Sequence, residues 1–345
     1  MKHRFVFERR NWMSKLGIVF AGGGGKGSYQ IGVWRGLKLL GLEDKVSAIS
    51  GTSIGALNGV LFLQKDYDIG EEVWLNSSQE KMLPIDDRII ARNMLYLKIS
   101  ERKKDEVLKW ASTLRNEGDV ISKQGLIEII DKGLNYEKIK SSNTPMYICC
   151  TEMPDMNAKY FKINDYDEKE MKNILCATTA LPMVFGSEEI EEQIYMDGGL
   201  VDNVPIKPVY DSGCDIIIVI YFNKEERVDR SLFPNAKIIE ILPSKNMGGW
   251  IVGTLDFSRQ TSLERILEGY KDVLRLFKGI VDDPTKDIVE LLDEKYNDIN
   301  KNLDEMMKER ESLEDSIRRL KQIKVIGSNL RTITKKKMKS KKKIL

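Results

Sequence analysis

Two glycine-rich turns, each set between a short apolar strand and an apolar helical pattern, constrain the fold of this chain more than any other feature. Residues 16–21 (LGIVFA) lead into the glycine-rich stretch 22–27 and then into helical spacing over 28–40. Residues 46–50 lead into a second glycine-bounded turn and a helix over 54–63. A strand, turn and helix repeated in this way is the opening of an α/β fold with a mostly parallel sheet.

The chain continues with a helical excursion, further strands and a long helix. Residues 65–140 carry patchy amphipathic patterns, among them 71–75, 105–114 and 126–134. Strands are predicted, in chain order, over 146–151, 160–163, 192–196, 215–222 and 238–242. A linker over 243–249 then precedes a predicted helix over 251–277.

These changes predict the organisation of the chain. We expect an N-terminal extension over 1–14, an α/β domain over 15–245, a helical C-terminal region over 250–326 and a tail over 327–345. Residues 288–324 contain a heptad seam with charges at the other positions. Tyr296, Arg310 and Lys324 are poor core residues for a coiled-coil dimer, which slightly favours packing within the chain and leaves an oligomer open.

The charge of the chain is unevenly distributed. Residues 331–345 hold eight basic residues and no acidic one, which leaves 47 basic against 53 acidic residues elsewhere. The tail is either a solubilising segment or a site for an anionic membrane surface or nucleic acid, and no specific nucleic acid is predicted. No secretory signal and no apolar run near ~18 residues is found. We expect a cytoplasmic protein, peripheral at the inner membrane surface if the tail binds there.

The counts of histidine and cysteine exclude familiar chemistry. The one histidine, His3, cannot complete a Ser-His-Asp triad unless the N-terminus folds into the site, and it cannot supply a site of several histidines for zinc. No metal or cofactor is predicted. The four cysteines indicate buried free thiols in a reducing compartment rather than a disulfide framework: Cys149, Cys150, Cys176 and Cys214.

The first glycine-rich turn, AGGGGKGS, allows several interpretations. It fails the phosphate-loop pattern because Lys26 is followed by Gly27. Gly22, Gly24 and Gly27 match a dinucleotide fingerprint. Successive glycine N–H groups before a helix also suit an oxyanion hole, and a plain tight turn remains the simplest interpretation.

The second turn and a later aspartate form a candidate nucleophile and base. Gly51-Thr52-Ser53-Ile54-Gly55 has the G-x-S-x-G pattern in which a serine is exposed on a sharp strand-to-helix turn. With histidine excluded, Ser53 needs a carboxylate or lysine as proton acceptor. Asp197, followed by Gly198 and Gly199, is the leading candidate, with Asp202 as a neighbouring alternative before a turn into a helix.

Together these three segments resemble the patatin-like phospholipase family. Its G-G-G-x-[RK]-G loop, G-x-S-x-G elbow and D-G-[GA] segment match residues 22–27, 51–55 and 197–199 in that order. GTSIGALNG, DGGLVDNVP and the stretch 177–185 (ATTALPMVF) extend the likeness, which covers about residues 15–225. Gly186 and Ser187 depart from the family, where prolines are frequent.

The resemblance implies a three-layer patatin-like fold, with a mostly parallel central sheet flanked by helices and here a helical C-terminal extension. It implies a Ser53 nucleophile, Asp197 as general base and acid, and a lipid or phospholipid substrate cleaved through an acyl-enzyme without metal. Lys26 either steadies its loop, attracts a phosphate group or is solvated. The implied oxyanion hole is Gly23, Gly24 and Gly25, and the implied supporting residues are Gly22, Lys26, Gly27, Gly51, Gly55, Gly198 and Gly199.

Three alternatives stay open at this point. The substrate could be a non-phospholipid acyl ester or thioester. The chain could instead bind a dinucleotide through its glycine-rich turn, although Glu43 and Asp44 do not end the second strand, where a ribose-binding acid belongs. A catalytically inactive scaffold is the third, and intact Ser53 and Asp197 argue against it.

Overall fold

The computed structural model describes residues 14–76, 82, 123–181, 184–223, 226, 228–249 and 253–278. The chain divides into two compact units, Met1–Leu292 and Asp293–Leu345, and every described residue belongs to the first. His3, most of the helical excursion, the heptad seam and the basic tail lie outside the described residues. The domain boundaries predicted above therefore remain predictions.

A single sheet of eight strands forms the centre of the described part. Its order is β5-β6-β3-β2-β1-β7-β8, and β4 pairs with β3 off this path. The pairs β1–β2, β1–β7, β2–β3 and β7–β8 are parallel, and β3–β4, β3–β6 and β5–β6 are antiparallel. The strands are β1 Leu16–Phe20, β2 Val46–Thr52, β3 Met146–Met153, β4 Asn157–Lys162, β5 Glu188–Ile190, β6 Gln193–Asp197, β7 Ile216–Ile220 and β8 Lys237–Ile241.

Helices flank this sheet, which confirms the expected fold class. The central strands β1 and β7 are buried at every residue, as expected for strands covered on both faces. The described α-helices are α1 Ser28–Leu39, α2 Ile54–Gln64, α3 Tyr67–Asn76, α4 Gln124–Gly133, α5 Tyr136–Lys140, α6 Glu168–Thr178, α7 Ile206–Asp211 and α8 Arg259–Leu276.

The register of β3 brings two distant parts of the chain together. Thr52, the last residue of β2, is opposite Cys149, and Asp197, the last residue of β6, is opposite the next residue, Cys150. Because β2 is parallel to β3 and β6 is antiparallel to it, the two strands end at neighbouring positions. The residue after Thr52 is Ser53, so this register places Ser53 beside Asp197.

Helices α1 and α8 pack with their backbones in near contact. A Cβ atom on Gly32 would lie 1.9 Å from the Ile266 carbonyl oxygen, and one on Gly269 would lie 2.2 Å from the Tyr29 carbonyl oxygen. Gly36 similarly leaves room for Val273, which is fully buried. Since α1 follows the first glycine-rich turn directly, α8 stabilises the element that carries that turn.

The structure differs from the predicted elements at three places: the start of α8, helix α6 and the short strand β5, of which the last was not predicted. The helix predicted over 251–277 is interrupted, because residues 255–258 are not helical and α8 begins at Arg259, where the Ser258 side chain accepts a hydrogen bond from the Thr261 N–H. Helix α6 was not predicted, although Asp167 and Glu170 form a capping box at its start. The other predicted strands and helices in the described part are found with shifted ends.

Two further expectations concern the cysteines and the bilayer. The free thiols are confirmed: Cys149, Cys150 and Cys214 are buried and Cys176 is partly buried. Of the helices that the structure describes, none is both long enough and apolar enough to cross a bilayer.

Candidate active site

Ser53 occupies a strained position between β2 and α2. Its backbone angles, a φ of 55° and a ψ of −130°, lie in a region that residues other than glycine rarely adopt. The flanking glycines allow this turn: a Cβ atom on Gly51 would lie 2.6 Å from the Gly55 carbonyl oxygen, and one on Gly55 would lie 2.2 Å from the Phe20 carbonyl oxygen. Residues 51–55 (the elbow) therefore have the geometry that the G-x-S-x-G pattern predicts.

The Ser53 hydroxyl is bonded directly to the Asp197 carboxylate. Ser53 Oγ donates a 2.6 Å hydrogen bond to Asp197 Oδ2, and the Gly199 N–H donates a 2.8 Å bond to Asp197 Oδ1. The Asp197 main chain is fixed as well, because its N–H donates to Ala180 and its carbonyl oxygen accepts from Thr151. Both carboxylate oxygens thus have a defined partner, and one faces the serine.

Burial gives the Asp197 carboxyl an unusual affinity for protons. The side chain is 3% exposed, and this desolvation raises the pKa of Asp197 to about 6. Hydrogen bonds from Ser53 and Gly199 and the charge of Lys123 act in the opposite direction and lower that pKa. The carboxylate is therefore more basic than an ordinary aspartate and still ionised at neutral pH.

Residues 22–27 (the glycine loop) lie against the elbow. A Cβ atom on Gly22 would be 3.2 Å from Ser53 Cβ and 2.4 Å from Asn203 Oδ1. Asn203 holds the loop in place: its carbonyl oxygen accepts from the Gly22 N–H at 3.1 Å, and its amide nitrogen donates to the Gly22 carbonyl oxygen at 3.2 Å. The first residue of the loop is in this way fixed beside the serine.

The loop ends in a 3-10 turn, Gly24–Gly27, that leads into α1. N–H groups in the first turn of a helix have no partner within it, so those of Gly24 and Gly25 are available to an anion. Gly24 has a φ of 55°, which favours glycine. The turn is held from below by Asn58, whose side chain donates to the Gly27 carbonyl oxygen and accepts from Trp74 Nε1.

Lys26 is the charged residue of the loop, and it is partly buried at the edge of the cleft. Burial lowers the pKa of Lys26, the positive charge of Arg265 lowers it further, and Glu226 raises it. Partial burial argues against a fully solvated side chain for this residue. Its remaining possible roles, as a support for the loop or a site for an anion, stay predictions.

Ser53, Asp197 and the glycine loop open into one large cleft of about 1060 Å³. This volume is enough for a ligand with a long apolar chain. Its polar lining includes Lys26, Asn203, Asn223, Glu226, Ser244, Lys245 and Asn246. Its apolar lining is Ile54, Met82, Leu126, Leu181, Val184, Phe185, Leu200, Phe222, Met247, Leu255 and Phe257.

The structure brings together all the site residues that the sequence predicted and adds two that it did not. Gly198 packs against the Cys149 carbonyl, where a Cβ atom would lie at 2.3 Å. Thr178, at the end of α6, accepts a 2.9 Å hydrogen bond from the Ser53 N–H and donates to the Cys149 carbonyl oxygen. In the sequence, Thr178 and Asn203 are recognised only as parts of the motifs ATTALPMVF and DGGLVDNVP, and these contacts give each of them a structural role.

No metal centre is found in the part of the chain that the structure describes. Three or more His, Cys, Asp or Glu side chains do not come together there in an arrangement that could hold a metal ion. The alternative carboxylate, Asp202, accepts hydrogen bonds from the Tyr160 hydroxyl at 2.6 Å and from the Val204 N–H at 3.2 Å, whereas Ser53 bonds Asp197.

The chain was compared with known proteins. It is 21% identical over 220 residues to a protein of Invertebrate iridescent virus 6 named "Probable lipid hydrolase 463L", an alignment that covers 61% of this chain and 65% of the viral protein. Less than two thirds of that relative's length is thus matched.

Similar solved structures include VipD from Legionella pneumophila, with a TM-score of 0.44 and 12% identity over 82% of this chain and 67% of that one. Human GIVD cytosolic phospholipase A2 has a TM-score of 0.39 and 12% identity, covering 82% of this chain and 63% of that one.

A family model described as patatin-like phospholipase matches residues 18–210. The match spans more than half of the chain and includes the glycine loop, the elbow and the turn that begins at Asp197. The chain belongs to the patatin-like phospholipase family.

Proposed function

We propose that this chain is a lipid acyl hydrolase that cleaves fatty-acyl esters with Ser53 as nucleophile and Asp197 as general base and acid. The observation that carries the proposal is the 2.6 Å hydrogen bond from Ser53 Oγ to Asp197 Oδ2 at a strained elbow. The adjacent glycine loop and the apolar cleft supply the other two requirements, which are donors for an oxyanion and space for an acyl chain.

In the first half of the reaction, the acyl group is transferred to the serine. Asp197 Oδ2 accepts the hydroxyl proton while Ser53 Oγ attacks the ester carbonyl carbon. The carbonyl oxygen becomes an oxyanion, which the N–H groups of Gly23, Gly24 and Gly25 stabilise by hydrogen bonding. Asp197 then returns the proton to the departing alkoxide oxygen, and the alcohol leaves an acyl-enzyme.

In the second half, water replaces the alcohol. Asp197 accepts a proton from a water molecule that attacks the acyl-enzyme carbonyl, and the same N–H groups hold the second oxyanion. Collapse of this intermediate releases the fatty acid and returns the proton to Ser53 Oγ. One carboxylate performs each proton transfer, and its raised pKa brings it closer to the operating pH.

For the substrate, we propose a phospholipid or lysophospholipid. The cleft combines a long apolar lining with a polar edge that contains Lys26 and Lys245, as expected for a ligand with an acyl chain and a polar head. The name of the viral relative, which speaks of lipid hydrolysis, supports the same class. A neutral glyceride or a thioester is the alternative substrate, and a phospholipase A or lysophospholipase specificity is part of the proposal.

The dinucleotide alternative has little support from the geometry. Glu43 and Asp44 lie in a short 3-10 turn before β2 rather than at its end, where an acid would reach a ribose. The Glu43 carboxylate accepts from Trp34 Nε1, and Asp44 pairs with Lys65. The glycine loop packs beside Ser53, whereas a dinucleotide site needs an open crevice at this position.

The proposal is tested by labelling with a fluorophosphonate probe, which reacts covalently with activated serines. We expect the wild-type chain to be labelled once, and Ser53→Ala and Asp197→Asn to lose labelling and about 10⁴-fold or more of esterase activity. Asp202→Asn is the matched control and should retain both, because its carboxylate faces Tyr160. Near-wild-type hydrolysis by Ser53→Ala or Asp197→Asn contradicts the proposal.

The substrate class is tested with purified wild-type protein and a panel of phospholipids, lysophospholipids, glycerides and acyl thioesters. Release of fatty acid should be fastest from phospholipid or lysophospholipid and should be unaffected by a chelator. Faster cleavage of glycerides or thioesters contradicts the assigned substrate and leaves the Ser53–Asp197 chemistry intact. Inhibition by the chelator contradicts the metal-free mechanism.

A further inference from the structure

The glycine loop has a back wall that lies outside the family match. Residues 253–257 (the back wall) come from just before α8, whereas the family model ends at residue 210. A Cβ atom on Gly24 would lie 2.3 Å from the Thr254 carbonyl oxygen, and one on Gly25 would lie 2.0 Å from the Asp256 carbonyl oxygen. The loop can therefore move little without moving the wall.

Arg265, on α8, joins both ends of this back wall. Its Nη1 donates a 2.9 Å hydrogen bond to the Asp256 carbonyl oxygen, and its Nη2 donates a 3.0 Å bond to the Gly253 carbonyl oxygen. The same Nη1 lies 3.2 Å from where a Cβ atom of Gly25 would be. One planar group thus spans the wall and contacts the loop.

The environment of Arg265 is costly for an arginine. The residue is 6% exposed, and burial lowers the pKa of its guanidinium, whereas the charges of Asp256 and Glu264 raise it. Opposite charges nearby offset part of the cost of burial, but the N–H groups of a buried guanidinium must also form hydrogen bonds. Its two hydrogen bonds go to the wall carbonyls, which points to the geometry of the wall as the purpose of the residue.

We propose that Arg265 is a positioning residue for acyl transfer: it holds the back wall so that the N–H groups of Gly24 and Gly25 stay aimed at the oxyanion. The inference rests on the proposed function, and it extends the active site to a helix outside residues 18–210. Substrate binding in the ground state depends on the cleft, whereas the oxyanion forms only during reaction. Leu255 and Phe257 of the wall also line the cleft, so loss of Arg265 should lower kcat much more than it raises KM.

Two substitutions separate the parts played by the guanidinium. Arg265→Gln keeps one hydrogen-bond donor group but removes the charge and the planar pair of donors. Arg265→Lys keeps the charge and can donate to one carbonyl. Arg35→Gln is the matched control. Arg35, on α1, also packs against α8, but its guanidinium lies over the Tyr270 ring and beside Glu71 rather than at the back wall. All are studied in the full chain, with circular dichroism and thermal melting to follow folding.

Two measurements are made on each variant. The first is kcat and KM with a p-nitrophenyl ester, corrected by fluorophosphonate titration for the fraction of active Ser53. The second is the affinity for an alkyl trifluoromethyl ketone, followed by ¹⁹F NMR, because this probe forms a tetrahedral oxyanion with the serine without turnover.

We expect Arg265→Gln to lower kcat about 10- to 100-fold, as for a misplaced catalytic group, with KM within about threefold. Ketone affinity should fall by the same factor as kcat/KM, Arg265→Lys should lose less, and Arg35→Gln should match wild type. Unchanged kcat and ketone affinity overturn the inference. So does a loss confined to the active fraction or to KM. A wild-type chain that forms no ketone adduct instead contradicts the proposed function itself.

Discussion

Asp197 accepts a hydrogen bond directly from Ser53 Oγ, so the proton affinity of this one carboxyl sets the pH range of the proposed reaction. Ordinary aspartates have a pKa near 4 and are weak bases at neutral pH. Burial raises the pKa of Asp197 to about 6, while the bonds from Ser53 and Gly199 keep the ionised form accessible. Enzymes usually employ histidine as a base because the pKa of imidazole is near neutral pH. The local structure brings the pKa of the Asp197 carboxyl closer to that range.

This pKa predicts the acidic side of the rate profile. The base must be unprotonated, so kcat/KM should fall tenfold per pH unit below about pH 6, where an ordinary aspartate would remain active to about pH 4. Ester hydrolysis measured from pH 4 to 9 checks this. Because free histidine titrates near pH 6.5, His3→Ala is the necessary control and should keep the same profile. If the fall in kcat/KM below about pH 6 is absent in His3→Ala, His3 rather than Asp197 is the base.

The same burial predicts that the ionised Asp197 carboxylate destabilises the fold at neutral pH. A carboxyl whose pKa is raised on folding stabilises the native state while protonated, and this contribution is lost as the pH rises through about 6. Asp197→Asn should therefore raise the free energy of unfolding by up to about 3 kcal/mol at pH 8. The gain should shrink towards pH 4, as measured by urea unfolding at both pH values. An equal effect at the two pH values contradicts this assignment.

Residue roles could be predicted where glycines mark them. Gly51 and Gly55 lie two residues on either side of Ser53, and Gly198 follows Asp197 directly. The missing Cβ atoms of these glycines are required by close backbone contacts, so local sequence carries a signal for both residues. Thr178 and Arg265 carry no such signal. Their partners, the Ser53 N–H and the carbonyls of residues 253 and 256, are set by tertiary packing, and an isolated threonine or arginine in a helix does not report it.

At the scale of elements, the packing of α1 on α8 connects stability with the active site. Gly32 and Gly269 let the two helix backbones approach until a Cβ atom at either position would overlap a carbonyl of the other helix. A glycine inside a helix normally weakens it by about 0.5–1 kcal/mol relative to alanine. Here the close approach offsets that cost, and it fixes the helix that follows the glycine loop.

Gly269→Ala should therefore destabilise the protein although it raises helix propensity. We expect a loss of roughly 1–3 kcal/mol, the usual cost of overpacking, together with reduced kcat because α1 carries the loop. Denaturant unfolding and ester kinetics check both effects. Leu267→Ala, at a half-exposed position on the same helix, is the control and should change each by little. Stabilisation by Gly269→Ala contradicts the described contact.

The elements themselves could be predicted in part. The apolar strands and the glycine-bounded turns were recognisable because their pattern is local. Helix α6 was missed although its capping box, Asp167 and Glu170, is a readable start signal. Helix α8 begins at Arg259, whereas the sequence pattern predicts a start at residue 251. Apolar residues before Ser258 continue the helical spacing, although the chain there forms the back wall.

At the scale of the whole molecule, the sequence combines a mildly acidic body with a strongly basic tail. Residues 331–345 carry eight basic residues, whereas the rest of the chain has six more acidic than basic residues. Basic residues near an anionic lipid surface each contribute about 1 kcal/mol of binding. We propose that the tail, which lies outside the described residues, brings the chain to a surface of anionic lipid.

Deletion of residues 331–345 tests this proposal. Binding to vesicles with anionic lipid should weaken at least tenfold in a sedimentation assay, and binding to neutral vesicles should not change. Hydrolysis of a soluble short-chain ester should also stay the same, since the deletion leaves residues 14–278 intact. A tail with its lysines and arginine replaced by glutamine should behave like the deletion. Unchanged binding to anionic vesicles contradicts the proposal.

If the back wall holds the glycine loop as proposed, its position late in the chain affects when a newly made chain becomes active. Ribosomes release a polypeptide from its N-terminus onward, so Ser53 and Asp197 emerge well before α8. Until α8 has emerged, the glycine loop has neither its back wall nor Arg265 behind it. We therefore expect nascent chains to carry a serine and its base but no aligned oxyanion donors. Under the proposed function, a chain that is still being translated should therefore cleave esters far more slowly than the completed chain.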